Sequence, residues 1–79
     1  MLLNIYSLKK PILTKEVRSI NLKTPNGELT ILDHHLPLIT PMIKGSMKIL
    51  DSQGVETLLE AQGGIIEVRP ENKINILLE

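Results

Sequence analysis

Gly27-Glu28-Leu29-Thr30-Ile31-Leu32-Asp33-His34-His35-Leu36-Pro37-Leu38-Ile39-Thr40 is the stretch on which the fold turns. Its first half alternates, with Leu29 and Ile31 on one side and Glu28, Thr30 and Leu32 on the other, which is the period of a half-buried strand. Thr24-Pro25-Asn26-Gly27 precedes it as a tight turn, because proline presets φ and Asn-Gly tolerates a positive φ. Asp33-His34-His35 then breaks the alternation. Pro37 and Pro41 lack an N–H and confine the following segment to loop or edge-strand geometry.

The same grammar holds on both sides. Upstream, Leu3 and Ile5 face one way in a first strand that ends near a turn at Lys9-Lys10-Pro11. Ile20 and Leu22 alternate with Ser19, Asn21 and Lys23, but Val17 is out of phase with them, which predicts a bulge between Val17 and Ile20. Downstream, Met47 and Ile49 form the inward side of a strand that turns at Asp51-Ser52-Gln53-Gly54 into a hairpin partner from Val55 to Ala61. Gln62-Gly63-Gly64 interrupts again, before Ile65, Ile66 and Val68. A turn at Pro70-Glu71-Asn72 leads into a last strand with Ile74, Ile76 and Leu78 alternating with Lys73, Asn75 and Leu77. Helical periodicity is missing throughout. Turn signals about every eight to twelve residues predict an all-β chain, a sandwich or barrel.

Seventy-nine residues make one domain, residues 1–79. A domain of this size removes only about 60–65% of its unfolded surface from water. There is no cysteine, and Tyr6 is the only aromatic residue. The core must therefore be built from Ile, Leu and Val, and stacking platforms for nucleobases are lacking. A formal net charge of zero argues equally against a phosphate-backbone partner. No run approaches the roughly eighteen apolar residues of a membrane span, so direct membrane insertion is not expected.

No constellation for catalysis emerges. Lys44-Gly45-Ser46 has its lysine before the glycine and lacks a phosphate-loop spacing, so it reads as a turn. His34 and His35 are neighbours on an extended segment, pointing to opposite sides without a Cys or third His, so no metal site is expected. A hydrolase using His35 with Asp33 or Glu28 has no nucleophile or oxyanion hole. No cofactor is expected. Gly63-Gly64 reads as a bend or a close backbone approach.

The ordered pair of motifs, Gly27 to Thr40 and then Gly63-Gly64-Ile65-Ile66-Glu67-Val68, resembles the N-terminal β-sandwich domain of the epsilon subunit of the F-type ATP synthase. The family's first motif reads Gly-Glu-Leu-Gly-Ile-Leu-Pro-Gly-His-Ala-Pro-Leu-Leu-Thr and its second Ser-Gly-Gly-Phe-Leu-Glu-Val. This chain has Asp33-His34 in place of Pro-Gly, and Gln62 in place of Ser. The resemblance spans essentially residues 2–79. It implies a flattened antiparallel β-sandwich of about eight to ten short strands. It also implies a non-catalytic rotor subunit that links the gamma central stalk to the c-ring and couples ion flow to ATP synthesis or hydrolysis.

Residue by residue, the resemblance places Glu28 and His35 at the polar loops of the c-ring, with His35 close to the rotor interface. It places Ser7, Thr40, Gln62, Glu67 and Asn75 toward gamma, and Met42 and Ile43 are candidates for an apolar patch on that side. The implied setting is a complex with alpha, beta and delta subunits, peripheral on the cytoplasmic face of the bacterial inner membrane or an organellar equivalent. The family's Ala/Arg/Glu-rich helical hairpin, with its inhibitory arm and nucleotide-sensing site, lies beyond the last strand and is not expected from this sequence. The competing reading is a free-standing β-sandwich adaptor that pairs a sheet edge with another protein.

Overall fold

The computed structural model describes residues 1–8 and 11–79. The expected turn at Lys9-Lys10 lies outside the described residues. Eight strands are present among them: β1 (Leu2–Ser7), β2 (Pro11–Thr24), β3 (Gly27–Leu32), β4 (Leu38–Met42), β5 (Gly45–Asp51), β6 (Glu56–Ala61), β7 (Gly64–Arg69) and β8 (Lys73–Leu78). Their hydrogen-bonded order is β4-β7-β8-β1-β2-β5-β6, with β3 on β2.

The 14-residue strand β2 makes two layers out of this path. Its first part pairs with β1, and its second part pairs with β3 and β5. The register against β5 slips between Val17 and Ser19, where the sequence predicted a bulge. One extra residue there bends the strand and lets Val17, Ile20 and Leu22 all face the interior. The layer β4-β7-β8-β1-β2 thus packs on the layer β3-β2-β5-β6.

Every pair is antiparallel except one. β1 and β8 run parallel, from Leu2 beside Lys73 to Ser7 beside Leu78. The antiparallel expectation therefore holds for local hairpins and gives way where the first and last strands meet. A parallel pair needs a long crossover, and here nearly the whole chain supplies it.

Leu3, Ile5, Ile20, Leu22, Ile31, Met47, Ile49, Ile66, Ile74 and Ile76 are fully buried. Each such side chain contributes about 1.5–3 kcal/mol of transfer free energy. Met42 joins this core at 5% exposure, so it is no part of a surface patch. It alternates with Pro41 and lies opposite Gly64 in the β4–β7 ladder, which turns it inward. Lys44 alone occupies a bend. Gly45 and Ser46 already belong to β5, with the Ser46 hydroxyl hydrogen-bonded to Glu60.

Two buried polar residues finish hairpins. Thr24 Oγ1 donates to the Gly27 carbonyl at 2.9 Å and accepts from the Asn26 N–H at 3.2 Å. Asp51 Oδ1 accepts the N–H groups of Gln53 and Val55, both at 2.9 Å, while its Oδ2 meets Lys15 at 3.2 Å. The Val55 N–H, then Lys15 and Gln53, hold the Asp51 carboxyl below its usual range. Gly64 takes φ +154°, and a Cβ there would overlap the Leu77 carbonyl, which is the close backbone approach expected of this Gly-Gly pair.

Candidate functional site

The register of the β4-β7-β8-β1-β2 layer sorts its outer side into three rows. Pro41, Ile65, Leu77 and Tyr6 are successive neighbours across β4, β7, β8 and β1. Two residues further along come Ile39, Glu67, Asn75, Asn4 and Thr14. A charged row of Arg69, Lys73, Leu2 and Glu16 follows. Strand pairs lie about 4.8 Å apart, so the first row is a continuous apolar strip roughly 14 Å long.

The strip is exposed: Ile65 is 50% accessible, Leu77 and Tyr6 are exposed with it, and Ile39 in the next row is 70% accessible. Between the first two rows runs a shallow groove of about 240 Å³, lined by Tyr6, Ile39, Ile65, Leu77, Glu67 and Asn75. Leu8, Ile65 and Leu77 line a second depression that continues it. Aliphatic residues placed contiguously on the open side of a sheet mark an interaction surface rather than scattered surface apolars.

From Glu67 to Thr14 the middle row is hydrogen-bonded side chain to side chain. Thr14 Oγ1 donates to Asn4 Oδ1 at 3.0 Å, Asn4 Nδ2 to Asn75 Oδ1 at 3.3 Å, and Asn75 Nδ2 to Glu67 Oε1 at 3.2 Å. Arg69 closes it through Glu67 Oε2 at 3.2 Å and also meets Glu71, which with Glu67 raises the guanidinium pKa further.

The seven residues singled out from sequence are distributed unequally around this surface. Glu67 and Asn75 stand in the middle row, as partners of each other. Thr40 lies opposite the buried Ile66, on the inward side of β4, with its hydroxyl donating to the Pro41 carbonyl at 3.2 Å. Ser7 lies beside the buried Leu78 on the inward side of β1. Gln62 is exposed ahead of β7, at the end of the layer where Leu78 meets Gly64. Ile43 is 45% exposed beyond β4.

Glu28 and His35 fall at opposite ends of β3. Glu28 is exposed beside Lys23, next to the β2–β3 turn. His35 is half-buried past the other end, where its N–H donates to Leu32 at 3.2 Å and its Nδ1 meets the Leu36 carbonyl at 2.7 Å. Four residues of strand already separate Glu28 from Leu32 by about 13 Å. β3 pairs only with β2, however, so it is an edge that one partner could follow lengthwise.

The turn before His35 is held by charge. The Met1 ammonium donates to Asp33 Oδ1 at 2.8 Å and to the Val17 carbonyl at 3.1 Å. His34, at φ +60°, donates its N–H to Asn72 Oδ1 at 2.8 Å. The hydrogen bond from the Met1 ammonium, with a second from Asn72, keeps the Asp33 carboxyl below its ordinary range, and Asp33 in turn raises the amine.

Sequence reasoning missed Ile39, Ile65, Asn4 and Thr14 as surface residues. The signal was the outward phase of each strand, but joining them into rows requires the pairing. Among the described residues no group of three His, Cys, Asp or Glu side chains could hold a metal, and no helix is long and apolar enough to cross a membrane.

Comparison with known proteins agrees with this architecture. An ATP synthase epsilon chain from Exiguobacterium sp. is 38% identical over 64 residues, covering 81% of this chain and 46% of that protein. The epsilon chain of Bacillus pumilus is 33% identical over 76 residues, covering 96% of this chain and 56% of the relative. The chain thus spans about half the length of these relatives. A chain in the cryo-EM structure of the Euglena gracilis mitochondrial ATP synthase (OSCP/F1/c-ring) superposes with a TM-score of 0.93 at 22% identity, over 99% of this chain and 49% of that one. One from the central stalk and c-ring of the Tetrahymena thermophila enzyme gives 0.84 at 20% identity. At those identities the likeness is one of fold. The match to the family extends over all of residues 1–79, and the chain belongs to the β-sandwich domain family of ATP synthase delta/epsilon chains.

Proposed function

We propose that this domain is the epsilon-type, non-catalytic part of an F-type ATP synthase rotor. Gamma docks on the outer side of the β4-β7-β8-β1-β2 layer, and the c-ring runs along the β3 edge from Glu28 toward His35. The domain transmits torque between ion flow and the alpha and beta subunits, where ATP chemistry takes place, in a complex that also contains delta. Its place is peripheral, on the cytoplasmic side of the membrane, reached through protein partners.

The observation that supports this best is the exposed row Ile65, Leu77 and Tyr6 with Ile39 beside it, on a domain of a family whose members are rotary-enzyme subunits. Glu67 and Asn75 border that row. Gln62 lies at the end of the layer where β7 begins, and Ser7 and Thr40, half-buried, take the inner side of the same layer behind the row. The test is calorimetric titration of purified, folded gamma with this chain. The expected outcome is saturable binding at micromolar concentrations or below, lost in an Ile65→Asp variant whose thermal unfolding matches the parent. Absence of binding by the parent chain would sink the assignment.

A further inference from the structure

The hydrogen-bonded row has only one permissible direction. An ionised carboxylate can only accept, so Asn75 must turn its amide nitrogen to Glu67, which leaves its carbonyl oxygen facing β1. Asn4 must then offer its own nitrogen to that oxygen, at 3.3 Å, and is left with a carbonyl that takes the Thr14 hydroxyl at 3.0 Å. Glu67 thereby orients two amides across four strands.

The carboxylate is not used up. Each oxygen already accepts one donor, from Asn75 and from Arg69, and each has capacity for another. Its side chain is 34% exposed, at the end of the groove formed with Ile39 and Ile65. Arg69 is shared between Glu67 and Glu71, with Lys73 as its cross-strand neighbour, so the corner is balanced in charge and Glu67 keeps acceptor capacity that Arg69 alone does not fill. An apolar strip alone fixes no register, since aliphatic contact is non-directional. A pre-oriented acceptor beside it does, because charge at an interface rim sets orientation and partner choice.

We propose that Glu67 is the specificity-determining acceptor of this docking surface. The gamma-type partner seats an aliphatic or aromatic side chain in the groove and an Arg or Lys on Glu67, while Asn4 and Thr14 are positioning residues that hold Asn75 and Glu67 in place. This rests on the reading that gamma is the occupant.

The test is titration of purified gamma with the parent chain and with Glu67→Gln, Asn4→Leu, Thr14→Val and Thr14→Ser variants, each at low and high salt, with thermal unfolding as the folding control. Glu67→Gln retains the shape and removes the charge. It should weaken binding by roughly ten- to a hundredfold, the range for a charge-assisted hydrogen bond, and should flatten the salt dependence. Asn4→Leu and Thr14→Val should weaken binding less while keeping the salt dependence, and Thr14→Ser should restore it. If the parent binds and Glu67→Gln binds equally with the same salt response, the proposal is overturned while gamma docking stands. Unaltered binding by Asn4→Leu and Thr14→Val would remove the positioning role. If the parent itself fails to bind folded gamma, the docking reading falls first and this inference falls with it.

Discussion

At Asp33-His34 this chain replaces the family's Pro-Gly, and the replacement is offset locally. A residue with a Cβ in the left-handed region costs about 1–2 kcal/mol. His34 adopts it with its N–H satisfied by Asn72, itself at φ +59°, while Asp33 binds the Met1 ammonium. The two charges make stability depend on pH at both ends. The Met1 amine is raised above 8.0, so its contribution is complete below that pH and disappears as pH climbs through the folded value. Asp33 and Asp51 are lowered from 3.8, so their contributions are present above it and are lost as pH falls through their folded values. Urea titrations from roughly pH 3 to 10 should give a plateau between about pH 5 and 8. Asp33→Asn should lose most of the alkaline decline and part of the acid one, with Asp51 keeping the remainder. An unchanged alkaline limb in that variant would show that Asp33 is not what raises the amine.

At the scale of elements, β2 carries the architecture, because one strand serves both layers. Arg18 is the extra residue at its bulge, exposed and donating from Nη2 to the Ser52 carbonyl at 2.9 Å. A regular strand that kept Arg18 in its ladder would leave Val17 on its side and rotate Ile20 and Leu22 to solvent, since a one-residue slip exchanges the two sides of a strand. Deletion of Arg18 restores plain alternation with Val17, Ile20 and Leu22 in one phase, so the deletion variant should keep a cooperative unfolding transition at reduced stability, and Arg18→Ala should lower Tm by only a few degrees. Loss of the transition in the deletion variant would show that the bend made by the bulge matters beyond the phase it sets. The edge strand β4 is guarded differently. Pro41 supplies no N–H to this edge strand, the kind of device that limits unwanted strand addition.

At the scale of the whole domain, the decisive contact is the one between β1 and β8. β1 lies between β2 and β8, so two strands far apart in the sequence pair inside the layer that presents the exposed rows. Closing that loop precedes any gain from the contacts it allows, and domains dominated by such pairings refold in milliseconds to seconds. Stopped-flow refolding should fall in that range. Truncation of β8 should leave β1 and β7 without a shared neighbour and abolish the transition. Microsecond refolding would mean that local hairpins, rather than the β1–β8 pairing, limit the rate.

What the sequence by itself determined is local and periodic. The β2–β3 turn, the bulge after Val17, the β5–β6 hairpin, the Gly64 approach and the inward phase of Ile20, Ile31, Ile49, Ile74 and Ile76 all follow from turn chemistry and two-residue alternation, whose causes lie within a few residues. The paired motifs also carried the family. Only the tertiary structure decided which strands are neighbours, and hence that β1 and β8 run parallel, that Met42 is interior, and that Glu28 and His35 occupy opposite ends of an edge. Alternation says which side a residue takes on its own strand. It is silent on the strand beside it, because register between distant segments is set by the packing of the whole core. The rows Pro41–Ile65–Leu77–Tyr6 and Ile39–Glu67–Asn75–Asn4–Thr14 exist only once that register is chosen.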